Sequence, residues 1–169
     1  MKRVLIIIFL AITCFAHAQE LPTISANGFA FSLGTKFTIK LIPTDPDHYD
    51  YSVLTFETFH EIIDTNEKEK LFEEKGEDNT VVCYFCVGTH GETEEERDKN
   101  MRVLLIMKSF SKEALSYTSD IQTEEEGEYE ETSNMGTFPG AIMMEIWPYM
   151  IYSIGLRDFR KYGTDPTSE

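Results

Sequence analysis

Apolar and polar residues alternate along several stretches of the chain, and a period of two predicts β-strands with one buried face. In residues 29–43 the alternation is almost unbroken, and Gly34 divides the run into two strands. Residues 51–63 are rich in aromatic and β-branched side chains and predict a further strand. Residues 113–122 return to alternation. Each of these strands is therefore expected to have one face in the core and one in water.

Other stretches are apolar on both sides. Residues 80–88 and 102–110 are apolar at most positions, which predicts central strands that are buried on two faces. Residues 140–147 form another apolar strand candidate. Pro148 suits the first turn of a helix, so residues 148–154 are expected to include one or two helical turns before a final strand.

One clearer helix is predicted over residues 65–76. Thr65 or Asn66 can cap its start and Gly76 can end it. Only two apolar residues lie in its middle, so the helix is expected on the surface. About seven short strands with one or two short helices predict a mainly β protein built as an antiparallel β-sandwich.

The stretch MRVLLIMKSFSKEALSYTSDIQ, residues 101–122, supports this fold by resemblance. It resembles a pair of adjoining strands in the immunoglobulin-like domains of small exported bacterial proteins of uncharacterised function. In those domains a buried strand ends in a polar turn containing Ser, and a Leu-x-Tyr strand follows. The resemblance implies an immunoglobulin-like β-sandwich and brings no catalytic residues. The chain lacks the Cys…Trp…Cys spacing of antibody domains, so the resemblance concerns fold alone.

The first eighteen residues have the three parts of a secretory signal peptide. Lys2 and Arg3 precede an apolar run of about a dozen residues, and Ala16-His17-Ala18 forms a small-x-small cleavage pattern. We expect cleavage after Ala18 and export to the periplasm or the medium, which leaves residues 19–169 as a single domain. No second apolar run is long enough to span a membrane.

An alternative interpretation of this segment is a lipoprotein signal. Cys14 would then be lipidated after cleavage on its N-terminal side and would anchor the protein to the cell envelope. Thr13 is large for the position beside such a cut. Soluble export is therefore the leading prediction, and the lipid anchor remains open.

The net charge of the chain limits the classes of partner that it can bind. The full chain has 15 Lys and Arg residues and 30 Asp and Glu residues. Cleavage after Ala18 would remove Lys2 and Arg3, which leaves 13 basic residues against 30 acidic ones and a formal charge of −17. Such a surface repels nucleic-acid phosphates and anionic membranes and favours a basic protein partner or divalent cations. Two long acidic connections, residues 89–100 and 123–137, are expected to be either functional or disordered. The candidate binding residues are Glu94, Glu95, Glu96, Glu124, Glu125 and Glu126.

Cys83 and Cys86 stand in a C-x-x-C spacing with His90 close behind. In a strand, residues three apart point to opposite faces and lie about 10 Å apart, whereas a disulfide needs Cα atoms within about 7 Å. We therefore predict two buried, unlinked thiols on opposite faces of a central strand. A disulfide across a kinked strand, or a metal site completed by His90, remains open.

Candidate catalytic groups are few. His48, His60 and His90 lie in no recognisable nucleophile motif. Asp45, Asp47 and Asp50 are spaced loosely like a calcium loop but lack its Gly and terminal Glu, which favours a solvated turn. The seven aromatic residues that could line a sugar- or peptide-binding face are expected to fill the core instead: Tyr49, Tyr51, Tyr84, Tyr117, Trp147, Tyr149 and Tyr152.

These observations lead to the prediction of an exported, non-enzymatic protein without a cofactor, which acts through surface contacts. A small extracytoplasmic hydrolase and a lipid-anchored envelope protein are the alternatives. A hydrolase should show a pocket where a histidine and a carboxylate converge. A binding module should show its acidic loops clustered at one end of the fold.

Overall fold

The computed structural model describes residues 24–164. The predicted signal peptide, including Cys14 and Ala18, lies outside the described residues. Strands account for 52% and helices for 9% of the structure, which confirms the prediction of a mainly β, antiparallel protein with short helices. No helix within residues 24–164 has the length and apolar character that crossing a membrane would need.

Within residues 24–164, ten strands and two short helices follow one another. In order they are β1 (Gly28–Ser32), β2 (Thr35–Pro43), β3 (His48–Thr58), β4 (Ile63–Asp64), a 3₁₀ helix (Thr65–Leu71), β5 (Thr80–Thr89), α1 (Glu94–Lys99), β6 (Arg102–Ser109), β7 (Leu115–Gln122), β8 (Glu130–Thr132), β9 (Ile142–Trp147) and β10 (Ser153–Lys161).

All ten strands belong to one sheet in the order β8-β7-β10-β3-β2-β5-β6-β9. β1 pairs with β10 beside β3, and β4 pairs with β5 in the only parallel pairing between named strands. The sheet curls into a half-barrel, so the immunoglobulin-like sandwich is not confirmed. Strands β8, β7 and β10 form one half of the sheet, and strands β3, β2, β5, β6 and β9 form the other. The two halves join where Phe159 and Arg160 of β10 pair with β3, next to a bulge that follows Arg157. Bulges of this kind bend a strand and increase its twist.

The main core lies inside the curl. β2 and β7 alternate buried and half-buried positions along their length, as their sequence pattern predicts. Phe37, Ile39, Phe85, Leu105 and Phe159 are fully buried in this core. Burial of such side chains contributes roughly 1.5–3 kcal/mol each.

A second cluster covers the outer face of β5 and β6. Tyr84 and Cys86 of β5 meet Leu104 and Ile106 of β6 there, which confirms that both strands are buried on two faces. The cover is residues 59–76, which we call the flap. Its Phe59, Leu71 and Phe72 are half-buried against the cluster.

Two helix predictions are corrected by the structure. Residues 148–154 contain no helix: Ile151 is buried in the main core, and Tyr152 bonds to the sheet through its backbone N–H and C=O. The helix predicted over residues 65–76 is a 3₁₀ helix that ends at Leu71. Phe72 leaves it with extended backbone and packs edge-on against Tyr84.

The two acidic connections are more regular than a structureless loop. Residues 89–100 contain α1, whose capping box joins Thr93 and Glu96. Residues 123–137 contain β8, which pairs with the outer edge of β7. Both segments therefore have backbone hydrogen-bond partners of their own.

Candidate functional site

The strand directions place five connections at one end of the sheet. β3 and β7 are both antiparallel to β10, and β3 and β5 are both antiparallel to β2. β5 and β9 are both antiparallel to β6, so β3, β5, β7 and β9 all run in the same direction. The connections that follow these four strands therefore lie at one end, with the β1–β2 turn. We call this the loop end; it comprises residues 33–34, 59–62, 90–101, 123–129 and 148–152.

Backbone hydrogen bonds hold these connections together. The N–H of Leu33 donates to Tyr152 O at 2.9 Å, and the N–H of Tyr152 donates to Gln122 O at 2.9 Å. On the other side of the turn, the N–H of Phe59 donates to Gly34 O at 2.7 Å. These bonds join the 59–62 and 148–152 connections to residues 33–34 and to the end of β7.

Large apolar side chains are exposed on this surface. Ile151 is fully buried and anchors the 148–152 connection, and its neighbours Tyr149, Met150 and Tyr152 are left half-exposed. Ile62 and Met101 are exposed at the same end. Aromatic and methionine side chains are enriched in protein interfaces relative to the rest of the protein surface.

The six candidate glutamates all lie at the loop end and are all exposed. Glu94, Glu95 and Glu96 form the first turn of α1, where the helix dipole favours negative charge. The Glu96 carboxylate accepts the backbone N–H groups of Glu92 and Thr93, and these bonds lower its pKa. These bonds fix the Glu96 side chain, and α1 fixes the backbone of all three glutamates.

The helix is also attached to its surroundings. The Arg97 guanidinium donates to Asp64 Oδ2 at 2.8 Å and to Gly91 O at 3.1 Å. The Asn100 amide donates to His90 O at 3.1 Å. These bonds join α1 to the flap and to the end of β5.

The second triplet lies in the turn after β7. The N–H of Gly127 donates to Glu124 O, and the side chain of Gln122 donates to Gly127 O at 2.8 Å. Within residues 24–164, no ion pair includes Glu124, Glu125 or Glu126. Their charge is therefore uncompensated.

The C-x-x-C pair is separated as predicted. Cys83 lies in the main core and Cys86 in the outer cluster, and both are buried, free thiols. Burial raises the pKa of Cys86 to about 12 and that of Cys83 further. His90 is exposed beyond the end of the strand. Among the described residues, no three His, Cys, Asp or Glu side chains are grouped to hold a metal ion.

The other histidines lie apart from one another. His48 contacts the Asp45 carboxylate at 2.9 Å, and Asp45 also accepts the backbone N–H groups of Asp47 and His48, so the calcium-like stretch is a turn closed on itself. His60 lines a cleft of about 320 Å³ at the loop end with Glu61. The rest of that lining carries no hydroxyl or thiol: Leu33, Gly34, Phe59, Ile62, Val87 and Met101.

Sequence reasoning missed the apolar part of this site. The sequence predicts Tyr149 and Tyr152 in the core, but both are half-exposed in the structure. Ile62, Met101 and Met150 have no sequence signal of their own, because a lone apolar residue in a connection is common. The remaining aromatics of that set are buried, as predicted.

Comparison of the chain with protein-family models, with curated proteins and with solved structures gave no match.

Proposed function

We propose that this chain is an exported, non-catalytic binding module whose loop end contacts a basic protein. The observation that carries the proposal is the gathering of exposed Tyr149, Met150 and Tyr152 with two glutamate triplets at one end of the fold. Apolar anchors supply affinity in such interfaces, and surrounding charge supplies steering and specificity.

The charge distribution supports a basic partner over a neutral one. The second triplet has no compensating cation among the described residues, and in the first triplet Glu95 pairs with Lys99 of its own helix. A basic surface would relieve this repulsion and would make association fast and salt-sensitive. Divalent cations are the competing explanation and form an arm of the test below.

A hydrolase is less well supported. The cleft beside His60 offers a carboxylate but no nucleophile in its lining, and His48 lies on an exposed turn.

The test compares two matched double variants as baits in the exported fraction. Tyr149→Ser with Met150→Ser alters the loop end, and Tyr162→Ser with Met135→Ser alters the same residue types elsewhere on the surface, at similar exposure. We expect the first pair to lower capture of a basic protein at least tenfold and the second pair to leave capture unchanged. Equal loss with both pairs would contradict the proposal.

A charge variant tests the acidic component. Replacement of the six glutamates of both triplets by Gln keeps the capping box of α1, since Gln also caps. We expect weaker capture at low salt and a smaller salt dependence. If calcium or magnesium alone replaces the partner in protecting the loop end from proteolysis, the cation alternative is correct instead.

Export is tested separately. Intact-mass measurement of the protein recovered outside the cytoplasm should give a chain that begins at Gln19. A chain that begins with a lipidated Cys14 would show the anchored alternative.

A further inference from the structure

A shallow cleft of about 380 Å³ opens on the outer face of the sheet, and its lining includes Leu156 of the main core and Phe29, which packs against that core. Gly28, Ala30 and Gly155 lie at its base, where β1 and β10 run side by side. Tyr129 lines one part of it, and the paired side chains of Asp120 and Arg157 line another.

Neither a steric contact nor a left-handed backbone requires glycine at position 155. Gly155 lies inside a strand, where glycine is destabilising because it has the most conformational freedom to lose. Its backbone is not in the left-handed region, and a Cβ placed on it would come no closer than 3.7 Å to Asp120. Gly28 differs, because a Cβ there would lie 2.8 Å from the Cβ of Arg157. Glycine inside a strand marks a bulge, a tight bend, or the close approach of a ligand or another backbone, and the bulge of β10 begins only after Arg157.

The polar wall of the cleft is already fixed in position. The Arg157 guanidinium makes two bonds to Asp120, at 2.7 and 3.2 Å, and a third to Glu131 at 3.1 Å. It also pairs with Asp158, which bonds the Asn27 amide at 2.6 Å and has a left-handed backbone (φ 57°). These bonds hold the Arg157 guanidinium in one position beside the cleft.

Tyr129 supplies an aromatic surface across from this wall. Its side chain is 45% exposed, and its hydroxyl lies 2.7 Å from Ser153 Oγ. Ser153 precedes Gly155 by two positions on β10 and Arg157 follows it by two. The open space over Gly155 is therefore bounded by an aromatic ring and by a donor–acceptor array.

The backbone and the charge select the class of ligand. Residues 153–157 of β10 pair with β1 on one side and β7 on the other, so a peptide cannot add to them as a strand. Three carboxylates surround the one guanidinium, which disfavours an anionic ligand. A ligand hydroxyl can donate a hydrogen bond to a carboxylate and accept one from a guanidinium or an amide. A ligand rich in hydroxyl groups therefore matches the polar groups of this cleft.

From these features we infer that the cleft binds a neutral carbohydrate. One sugar ring lies over Gly155 with its apolar face against Tyr129, and its hydroxyls bond to Asp120, Arg157 and Asn27. The volume of the cleft is in the range of small-ligand sites. Tyr129 also belongs to the loop end, but Tyr149, Met150 and the glutamate triplets do not line this cleft. Either proposal can therefore fail without the other.

The test is calorimetric titration of the whole protein with neutral hexasaccharides of glucose, xylose, mannose and N-acetylglucosamine, beside a sulfated oligosaccharide. We expect at least one neutral sugar to bind, with affinity lowered at least tenfold by Gly155→Val and by Tyr129→Ala. Gly155→Ala should weaken binding less, and Ser116→Val, on the same sheet face outside the cleft, should leave it unchanged.

Thermal unfolding separates a blocked site from a damaged fold. Gly155→Ala and Gly155→Val should be at least as stable as the wild type, because each removes conformational freedom from the unfolded chain. The inference is overturned if no neutral sugar binds at millimolar concentration. It is equally overturned if the sulfated sugar binds more tightly, or if the Gly155 and Tyr129 variants bind as well as the wild type.

Discussion

The two faces of β5 meet two hydrophobic clusters that are closed in different ways. Cys83 and Phe85 point into the main core, which the curled sheet itself encloses. Tyr84 and Cys86 point outward into a cluster that only the flap covers. Residues of the main core such as Phe85 are fully buried, whereas Phe72 of the flap is only half-buried.

The two faces of β5 differ in the contacts that must be lost before each face is exposed to solvent. The main core opens only if the sheet comes apart. The flap is held by fewer bonds, including Tyr84 Oη to Leu71 O at 2.8 Å, Lys108 Nζ to Glu73 O at 2.6 Å, and the ion pair between Arg97 and Asp64. Segments with few buried contacts open locally, at a lower free energy than global unfolding. We therefore expect the outer cluster to open while the main core stays folded.

The largest expected effect compares one phenylalanine from each region. Phe159→Ala removes a fully buried ring that packs on Tyr51 and Tyr117, and should lower the free energy of unfolding by about 3–5 kcal/mol. Phe72→Ala should lower it by about 1–2 kcal/mol, because this ring is already partly in water. Urea unfolding measures both values, and equal losses would show that the flap is as integral as the core.

The next effect is the loss of stability at alkaline pH. Burial raises the pKa of both thiols above the ordinary value of 9.0. The stability that the buried, protonated thiols contribute is therefore fully present below pH 9 and is lost as the pH rises above 9. Between pH 8 and pH 10 each thiol should remove about 1.4 kcal/mol of unfolding free energy. Cys83→Ala and Cys86→Ala should each reduce this alkaline loss by that amount. If only Cys83→Ala does so, the outer cluster already admits water in the folded state.

Thiol labelling with an aromatic disulfide distinguishes local from global opening. In single-cysteine variants we expect Cys86 to react at least tenfold faster than Cys83, because flap opening alone exposes it. Ile154→Val in the main core should cost about 1 kcal/mol and accelerate Cys83 about fivefold, while leaving the rate of Cys86 unchanged. If Ile154→Val accelerates both thiols equally, both are exposed by global unfolding and the two regions are one cooperative unit.

Local patterns in the sequence predicted both faces of β5 but not how each is covered. Apolar residues on both sides of β5 and β6 indicate burial on two faces regardless of what lies against them. The identity of the cover depends on distant contacts, such as the bond from Tyr51 to Leu156 O that joins β3 to β10. For this reason the curl of the sheet and its strand order could not be predicted.

The absence of the helix expected at residues 148–154 and the presence of a helix at residues 89–100 have different causes. Trp147, Ile151 and Ile154 have helical spacing, but they are buried because the chain crosses from β9 to β10 over the end of the core. Tertiary packing overrides the periodicity there. The sequence does contain a start signal for α1, the Thr93-x-x-Glu96 capping box. The helix was not predicted because the segment is highly charged and has no apolar periodicity. The glutamate triplets were predicted as the binding residues, whereas the exposed apolar side chains beside them were not.

The smallest effect tests the link between α1 and the flap. Arg97 pairs with Asp64 at 2.8 Å, and Asp64 caps the 3₁₀ helix of the flap. Because the pair is partly exposed, Arg97→Gln should lower the free energy of unfolding by less than about 1 kcal/mol. That change still corresponds to a two- to fivefold increase in flap opening, which should appear as faster labelling of Cys86. Lys99→Gln is the matched control, since Lys99 pairs with Glu95 inside α1 and makes no ion pair with the flap. Equal acceleration by both variants would show that the loss of any positive charge on α1, and not the tie to Asp64, controls the opening of the outer face.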